Sequence, residues 1–358
     1  MHANVNPEFW RGKRVLLTGH TGFKGSWLSL WLQSMGACLR GIALAPPTKP
    51  SLFEVANVAE LMEHQIVDIK SFEAVKVQFD EFKPEIVIHM AAQSLVRLSY
   101  DEPVETYATN VMGTVHVLEA ARNTNSVRAI VNVTSDKCYD NKEWLWGYRE
   151  NDAIGGHDPY SNSKGCVELV SSAYRKSFYS SKSIAMATAR AGNVIGGGDW
   201  ATNRLVPDIL LALEHNLPVQ IRSPNSIRPW QNVLEPLRGY LMLAERLYTQ
   251  GQDFAEAWNF GPNHDDAKTV QWIVEHMCAV WGNGASWSKQ AGTHPHEAGF
   301  LRLDISKAQQ CLNWAPLTQL QTTLVDIIDW HKSWLSGADM RQACLKRIEF
   351  YQNIPCKP

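Results

Sequence analysis

Residues 14–35 read RVLLTGHTGFKGSWLSLWLQSM: a short apolar run stops at Gly19, glycines follow at 22 and 25, and an amphipathic stretch continues to about Met35. A strand that feeds a glycine turn and then at once a helix is the first half of a βαβ unit. "CLRGIAL" (38–44) supplies the next strand, and "EIVIHMAA" (85–92), "RAIVNVTS" (128–135) and "IAMATARAG" (184–192) are further apolar runs. A helical pattern from about Pro103 to Arg122 separates the third run from the fourth. Strands that are apolar on both faces and alternate with helices predict a parallel sheet covered on both sides, an α/β Rossmann-type doubly wound fold. After residue 192 the alternation weakens, and Pro, Gly, Trp and Asn become frequent. The expected division is a first domain over 1–192 with a returning segment at about 229–260. A smaller mixed α/β domain over 193–228 and 261–358 completes it.

A chain of 358 residues, 45% of them apolar, can bury a large core. Its net charge of −2 and the lack of a Lys/Arg run argue against nucleic acid as a partner. No apolar stretch approaches the roughly 20 residues of a membrane helix, and "MHANVNPEFWRGK" has no apolar leader core, so a cytoplasmic protein is expected. The seven Cys form no CxxC pair, and Cys38, Cys166 and Cys278 sit in apolar segments, reading as reduced, packed thiols. "HPHE" (294–297) lacks the spacing of a metal site, and no metal is expected. Of fourteen Trp, Trp200 and Trp230 are the first candidates for stacking on a sugar or base, the others being core or interface.

Gly19, Gly22 and Gly25 lie where backbone amides and a helix N-terminus can approach a pyrophosphate. The spacing is one residue longer at its start than GxGxxG. His20 reads as a loop residue near phosphate. The acid that usually binds the adenosine ribose about 20 residues on is missing. "LRGIALAPP" stands there instead, and Arg40 favours a 2′-phosphate, so NAD and NADP both stay open.

"PYSNSKG" places Tyr160 and Lys164 four apart, hence on one helical face. An ammonium beside a phenol favours phenolate and lowers its pKa. "VNVTSDKCYDN" (131–141) begins as a buried strand and then sets a hydroxyl, an acid and an amine in a row at Ser135, Asp136 and Lys137. Neighbours in a strand point to opposite faces, so the three can serve one substrate only if the chain leaves extended geometry at about Ser135.

Taken together these segments resemble the extended short-chain dehydrogenase/reductase family. "VDI" (67–69), "HMAAQS" from His89, "TNVMGTVHVLEAA" (109–121), Tyr-x-x-x-Lys and "ARAGNVIGGG" (189–198) carry the likeness. The resemblance implies a cofactor site of Gly19, Gly22, Phe23, Lys24, Gly25, Asp68, Ile69, Ala91, Ala92, Thr109, Tyr160 and Lys164. It implies Ser135, Tyr160 and Lys164 as catalytic residues. An acid followed by a base after that serine is similar to the family's nucleotide-sugar 4,6-dehydratases, where Asp-Glu is usual and Lys137 stands for Glu. This lysine, with "PPTKPSLFE" (46–54) and "RPWQNVLEPLRGYL" (228–241), resembles the branch that acts on CDP-glucose.

Several expectations follow from that resemblance. NAD oxidises C4, Asp136 protonates the departing 6-hydroxyl, Lys137 removes the C5 proton, and hydride returns to C6. To act as a base Lys137 must shed its proton, which burial beside positive charge favours. Asn193, Arg204, Arg228 and Arg302 would hold the nucleotide-sugar substrate, a guanidinium being suited to diphosphate. The family's helices, here 104–122 and 160–180, would pair two copies in a four-helix bundle, as a homodimer or homotetramer. Deoxysugar synthesis for surface polysaccharide is the implied setting. Another nucleotide sugar (dTDP, GDP or UDP), an epimerase, or a non-catalytic dinucleotide sensor are the alternatives.

Overall fold

The computed structural model describes residues 4–289 and 300–355; the HPHE stretch lies outside them. Seven parallel strands form the central sheet. They are β1 (Arg14–Thr18), β2 (Cys38–Ala43), β3 (Glu63–Ile66), β4 (Ile86–His89), β5 (Ala129–Val133), β6 (Ala185–Ala191) and β7 (Ala257–Phe260). Their order is β7-β6-β5-β4-β1-β2-β3, the doubly wound arrangement expected from the apolar runs. β1 and β4 are neighbours although two strands and their crossovers separate them in sequence, so the chain reverses its winding between them. Ligands in such sheets bind at the carboxyl ends of the strands beside that reversal.

One face is covered by α1 (Phe23–Ser34) and by the helix Leu234–Gln250, which packs on β5 and β6 before β7 joins the edge. The other face is covered by Phe72–Phe82, by the long helix over 103–122, and by the helix Pro159–Tyr174. The 103–122 helix widens into a π-helical turn at Ala108–Met112. Asp158 caps the 159–174 helix by accepting from the Ser161 amide at 2.9 Å, and Pro159 at the first position costs no hydrogen bond. A separate apolar cluster around Ile209, Leu213, Ile273, Met277, Leu324 and Ile328 forms the core of the smaller lobe. The last helix, Met340–Gln352, returns to α1, where Tyr351 meets the edge of the Trp31 ring. Six cysteines are free among the described residues; Cys138, Cys278 and Cys344 are packed, whereas Cys38 and Cys311 are exposed, contrary to the reading of Cys38 as a core thiol.

His89, at the end of β4, is buried between Thr18 of β1 and Thr114 of the 103–122 helix. Thr114 Oγ1 donates to the Asn110 carbonyl at 2.6 Å, so it accepts from His89 Nε2 at 3.0 Å. Thr18 Oγ1 accepts from the Met90 and Ala91 amides, so its proton goes to His89 Nδ1 at 2.6 Å. This pattern satisfies every group only if the imidazole is neutral. Burial, and then the charge of Lys164, push its pKa down to about 3. The unfolded chain therefore binds a proton at a pH where the folded chain does not, and stability falls as pH drops below about 6.5. We expect His89→Asn to make that decline shallower by about 1.4 kcal/mol per pH unit between pH 6 and 5. Urea midpoints at each pH measure it, and parallel slopes for the two proteins would contradict it.

Candidate active site

β1 ends at Thr18 and the chain turns at Gly19, whose φ of +79° suits glycine. A Cβ on Gly25 would overlap the Gly19 carbonyl oxygen, and one on Gly19 would lie 2.8 Å from the Ala91 amide nitrogen. The first turn of α1 thus packs against the end of β1 as closely as backbone allows. Gly22 is the N-cap and brings no side chain to the first-turn amides, which leaves them for an anion. Phe23 lies against Gly196. Asp68 accepts from the Lys70 amide at 2.9 Å, and Ile69 packs where Gly113 has no side chain. Thr109 donates to Glu105 at 3.1 Å, and Ala91 and Ala92 follow β4 without regular structure.

Arg40 does not face this loop. It pairs with Glu63 at 2.7 Å and Glu81 at 3.3 Å and lies over the Phe82 ring, so its charge is already met and it is not a 2′-phosphate clamp. Behind the glycine turn His20 and His64 share a hydrogen bond of 2.6 Å. His20 is fully buried with its ring edge-on to Phe53, so it packs beneath the turn instead of lying open in the loop, and burial and His64 hold it down to about 4.

β5 stops at Val133 and Ser135 is still extended, with φ −167°. Its hydroxyl accepts from the Lys137 amide at 3.2 Å and caps a single 3₁₀ turn, Asp136–Cys138. The chain therefore leaves strand geometry at the expected place. Ser135 Oγ donates to Asp136 at 3.1 Å and lies close enough to the Tyr160 phenol to act on its pKa. The Asp136 carboxylate occupies the space beneath Gly192, where any Cβ would overlap it. Lys137 is half-buried, and its ammonium makes no hydrogen bond or ion pair among the described residues.

Tyr160 and Lys164 lie one helical turn apart and are both buried. Burial pushes the phenol up to about 12, and the Ser135 hydroxyl opposes this. The expected lowering is therefore not achieved by the chain's own side chains, because desolvation outweighs them. Lys164 is held down to about 8 by burial. Lys24, half-buried, reaches the same centre from α1 and sits 5.7 Å from the Tyr240 ring centroid. Burial first, then Lys164 and Arg204, bring its amine down to about 7, and Asp136 opposes them.

Of the substrate-side arginines, Arg204 comes to this centre, paired with Asp199 at 2.9 Å and donating to Ser94 at 3.1 Å. Arg228 sits on the short strand Ile227–Pro229 opposite Lys268, and Arg302 contacts His264 and lies over Phe300. Asn193 follows β6 with φ +43°, its carbonyl accepting from Gln231 at 3.2 Å. Trp200 is enclosed by Trp330 and Trp334, and Trp230 belongs to the smaller lobe's core, so both serve packing. Sequence reasoning missed Gly192, Glu168 and Tyr240. Only Glu168 gave a signal, standing four residues beyond Lys164 on the same face.

Comparison with known proteins agrees with this geometry. The family model described as GDP-mannose 4,6 dehydratase matches residues 16–327. CDP-glucose 4,6-dehydratase of Salmonella typhimurium is 58% identical over 98% of this chain and 99% of its own length. dTDP-glucose 4,6-dehydratase 1 of Escherichia coli is 25% identical over 89% of this chain and 93% of its own. Among solved structures, UDP-glucose 4-epimerase of Thermotoga maritima superposes with a TM-score of 0.79 at 21% identity, covering 90% of this chain and 99% of that one, and shares the fold. With the acid–amine turn beside Tyr160 and Lys164, these matches place the chain in the nucleotide-sugar 4,6-dehydratase family of the extended short-chain dehydrogenases/reductases.

Proposed function

We propose that this protein is an NAD-dependent lyase that converts CDP-glucose to CDP-4-keto-6-deoxyglucose. The observation that carries the reading is the turn at Ser135, which brings Asp136 and Lys137 to the same strand end as Tyr160 and Lys164. An epimerase has no use for that acid and amine, and a sensor has no use for the Tyr–Lys pair. The near-full-length likeness to a CDP-glucose 4,6-dehydratase supports the substrate.

The glycine turn and the uncapped first turn of α1 fit a dinucleotide pyrophosphate. Engagement of Arg40 by two carboxylates favours NAD over NADP. When bound, NAD would accept the C4 hydride and return it to C6 once water is lost, and its positive charge would favour phenolate. Tyr160 takes the proton of the sugar 4-hydroxyl while Ser135 donates to the same oxygen. The 4-ketone so formed acidifies C5–H. Lys137 removes that proton, Asp136 delivers one to the departing 6-hydroxyl, and water is lost across C5–C6. Asn193 contacts the sugar diphosphate, Arg204 and Arg228 clamp its phosphates, and Arg302 reaches toward the nucleotide. Exposed Val104 (81%) and Leu169 (63%) lie on the helices over 103–122 and 159–174, and with Met112 they support pairing of two copies through these helices. No helix among the described residues is long and apolar enough to cross a membrane. With the free thiols, this suits a cytoplasmic enzyme of deoxysugar synthesis.

Mass spectrometry of the purified protein with CDP-, dTDP-, GDP- and UDP-glucose tests the reading. Loss of one water from CDP-glucose alone is expected; loss from another nucleotide sugar would overturn the CDP assignment, and no loss from any would overturn the dehydratase. For Lys137→Ala, C4 oxidation should persist while water loss falls by a factor of about 10² or more. Rapid-quench analysis of the product ratio measures it, and an unchanged dehydration rate would exclude Lys137 as the base.

A further inference from the structure

Glu168 and Arg190 form an ion pair that the chemistry above does not use. Both side chains are 4% exposed, and Arg190 Nε and Nη2 donate to the two carboxylate oxygens at 2.9 and 2.8 Å. Glu168 also accepts from Thr134 at 2.6 Å and Thr188 at 2.8 Å, from β6 and the segment just beyond β5. Arg190 Nη1 donates to the Tyr139 hydroxyl at 2.7 Å and to the Glu150 carbonyl at 3.0 Å. Tyr139 in turn donates to Asn259 of β7 at 2.8 Å, and Asn259 Nδ2 donates to the Tyr148 and Asp304 carbonyls. The pair therefore joins the helix of Tyr160 and Lys164 to the residue that follows the Asp136–Cys138 turn, and onward to the segment at 304.

A buried pair of this kind contributes little net stability against an apolar replacement, so its placement calls for another explanation. Tyr160, Lys164 and Glu168 recur every four residues and share one helical face. We infer that Glu168 and Arg190 are a positioning pair that keeps Lys164 charged beside Tyr160 and pins the catalytic turn through Tyr139. The inference rests on the reading of Tyr160 and Lys164 as the proton-transfer centre.

The groups around Lys164 set the sign. Lys24 faces it from α1, His89 from β4, Cys138 from the turn and Glu168 from its own helix, with Arg190 of β6 behind Glu168. Lys24, itself held down partly by Lys164, disfavours a second positive charge beside it. His89 is neutral, and burial keeps the Cys138 thiol protonated. Burial lowers Lys164, and the Glu168 carboxylate raises it. Without that carboxylate, the unopposed Arg190 would add to the positive field.

Glu168→Gln keeps size and removes the charge. Titration of the purified protein carrying ¹³Cε-labelled lysine, with the Lys164 signal assigned through Lys164→Arg, reads the effect without turnover. The Lys164 pKa is expected to fall by about one unit in Glu168→Gln. It should stay within a few tenths of the parent value in Glu168→Asp, which keeps the charge. The double variant E168Q/R190M, which leaves no unpaired charge and stands in should Glu168→Gln not fold, is expected to show a smaller downward shift. An unmoved Lys164 signal in both charge-removing variants would overturn the inference. Failure of the parent protein to dehydrate CDP-glucose would end the substrate reading and leave this titration result standing.

Discussion

Asp136, Lys164, Glu168 and Arg190 are packed out of water at the carboxyl edge of the sheet, where an uncompensated charge costs several kcal/mol. The local architecture follows from meeting that cost. Arg190 and Glu168 neutralise each other through a two-point contact and fill their remaining bonding capacity from Thr134, Thr188 and Tyr139. Asp136 is accommodated because Gly192 has no side chain, and Ser135 donates to it. His89 avoids adding a charge by staying neutral between two threonines. The chain itself leaves the Tyr160 phenol high, so its activation depends on positive charge that arrives with the cofactor in the proposed reaction.

How much of this could be read from sequence depends on whether the determining interaction is local. β1, β4, β5 and β6 were legible because apolar residues dominate strands buried on both faces, and β2 because little besides Arg40 interrupts its apolar run. β3 was not, since "EHQI" is a polar edge strand defined only by pairing with β2. The break at Ser135 was legible because three polar residues cannot continue a core strand toward one substrate. The glycine turn was legible for a steric reason that acts within a few residues. Room for Asp136 was not, because it depends on Gly192, 56 positions away and brought close by the β5–β6 pairing.

Arg40 and Trp200 show the opposite failure. Each has the right chemistry for a ligand, yet Glu63 and Glu81 claim one and Trp330 and Trp334 the other. Of the three substrate-side arginines expected from the sequence, Arg204 is the one that comes to the catalytic centre, held by Asp199 and Ser94. Composition identifies what a side chain can bind; only the fold shows what already occupies it.

In the proposed reaction one site both oxidises the sugar and removes water, with a single hydride leaving C4 and returning at C6. CDP-glucose deuterated at C4, incubated with the protein and NAD and followed by ²H NMR of the product, tests this most directly. The deuterium is expected at C6 of the 4-keto-6-deoxy sugar, carried within the same molecule. A product formed with C6 free of the label, or with the label lost to solvent, would contradict it.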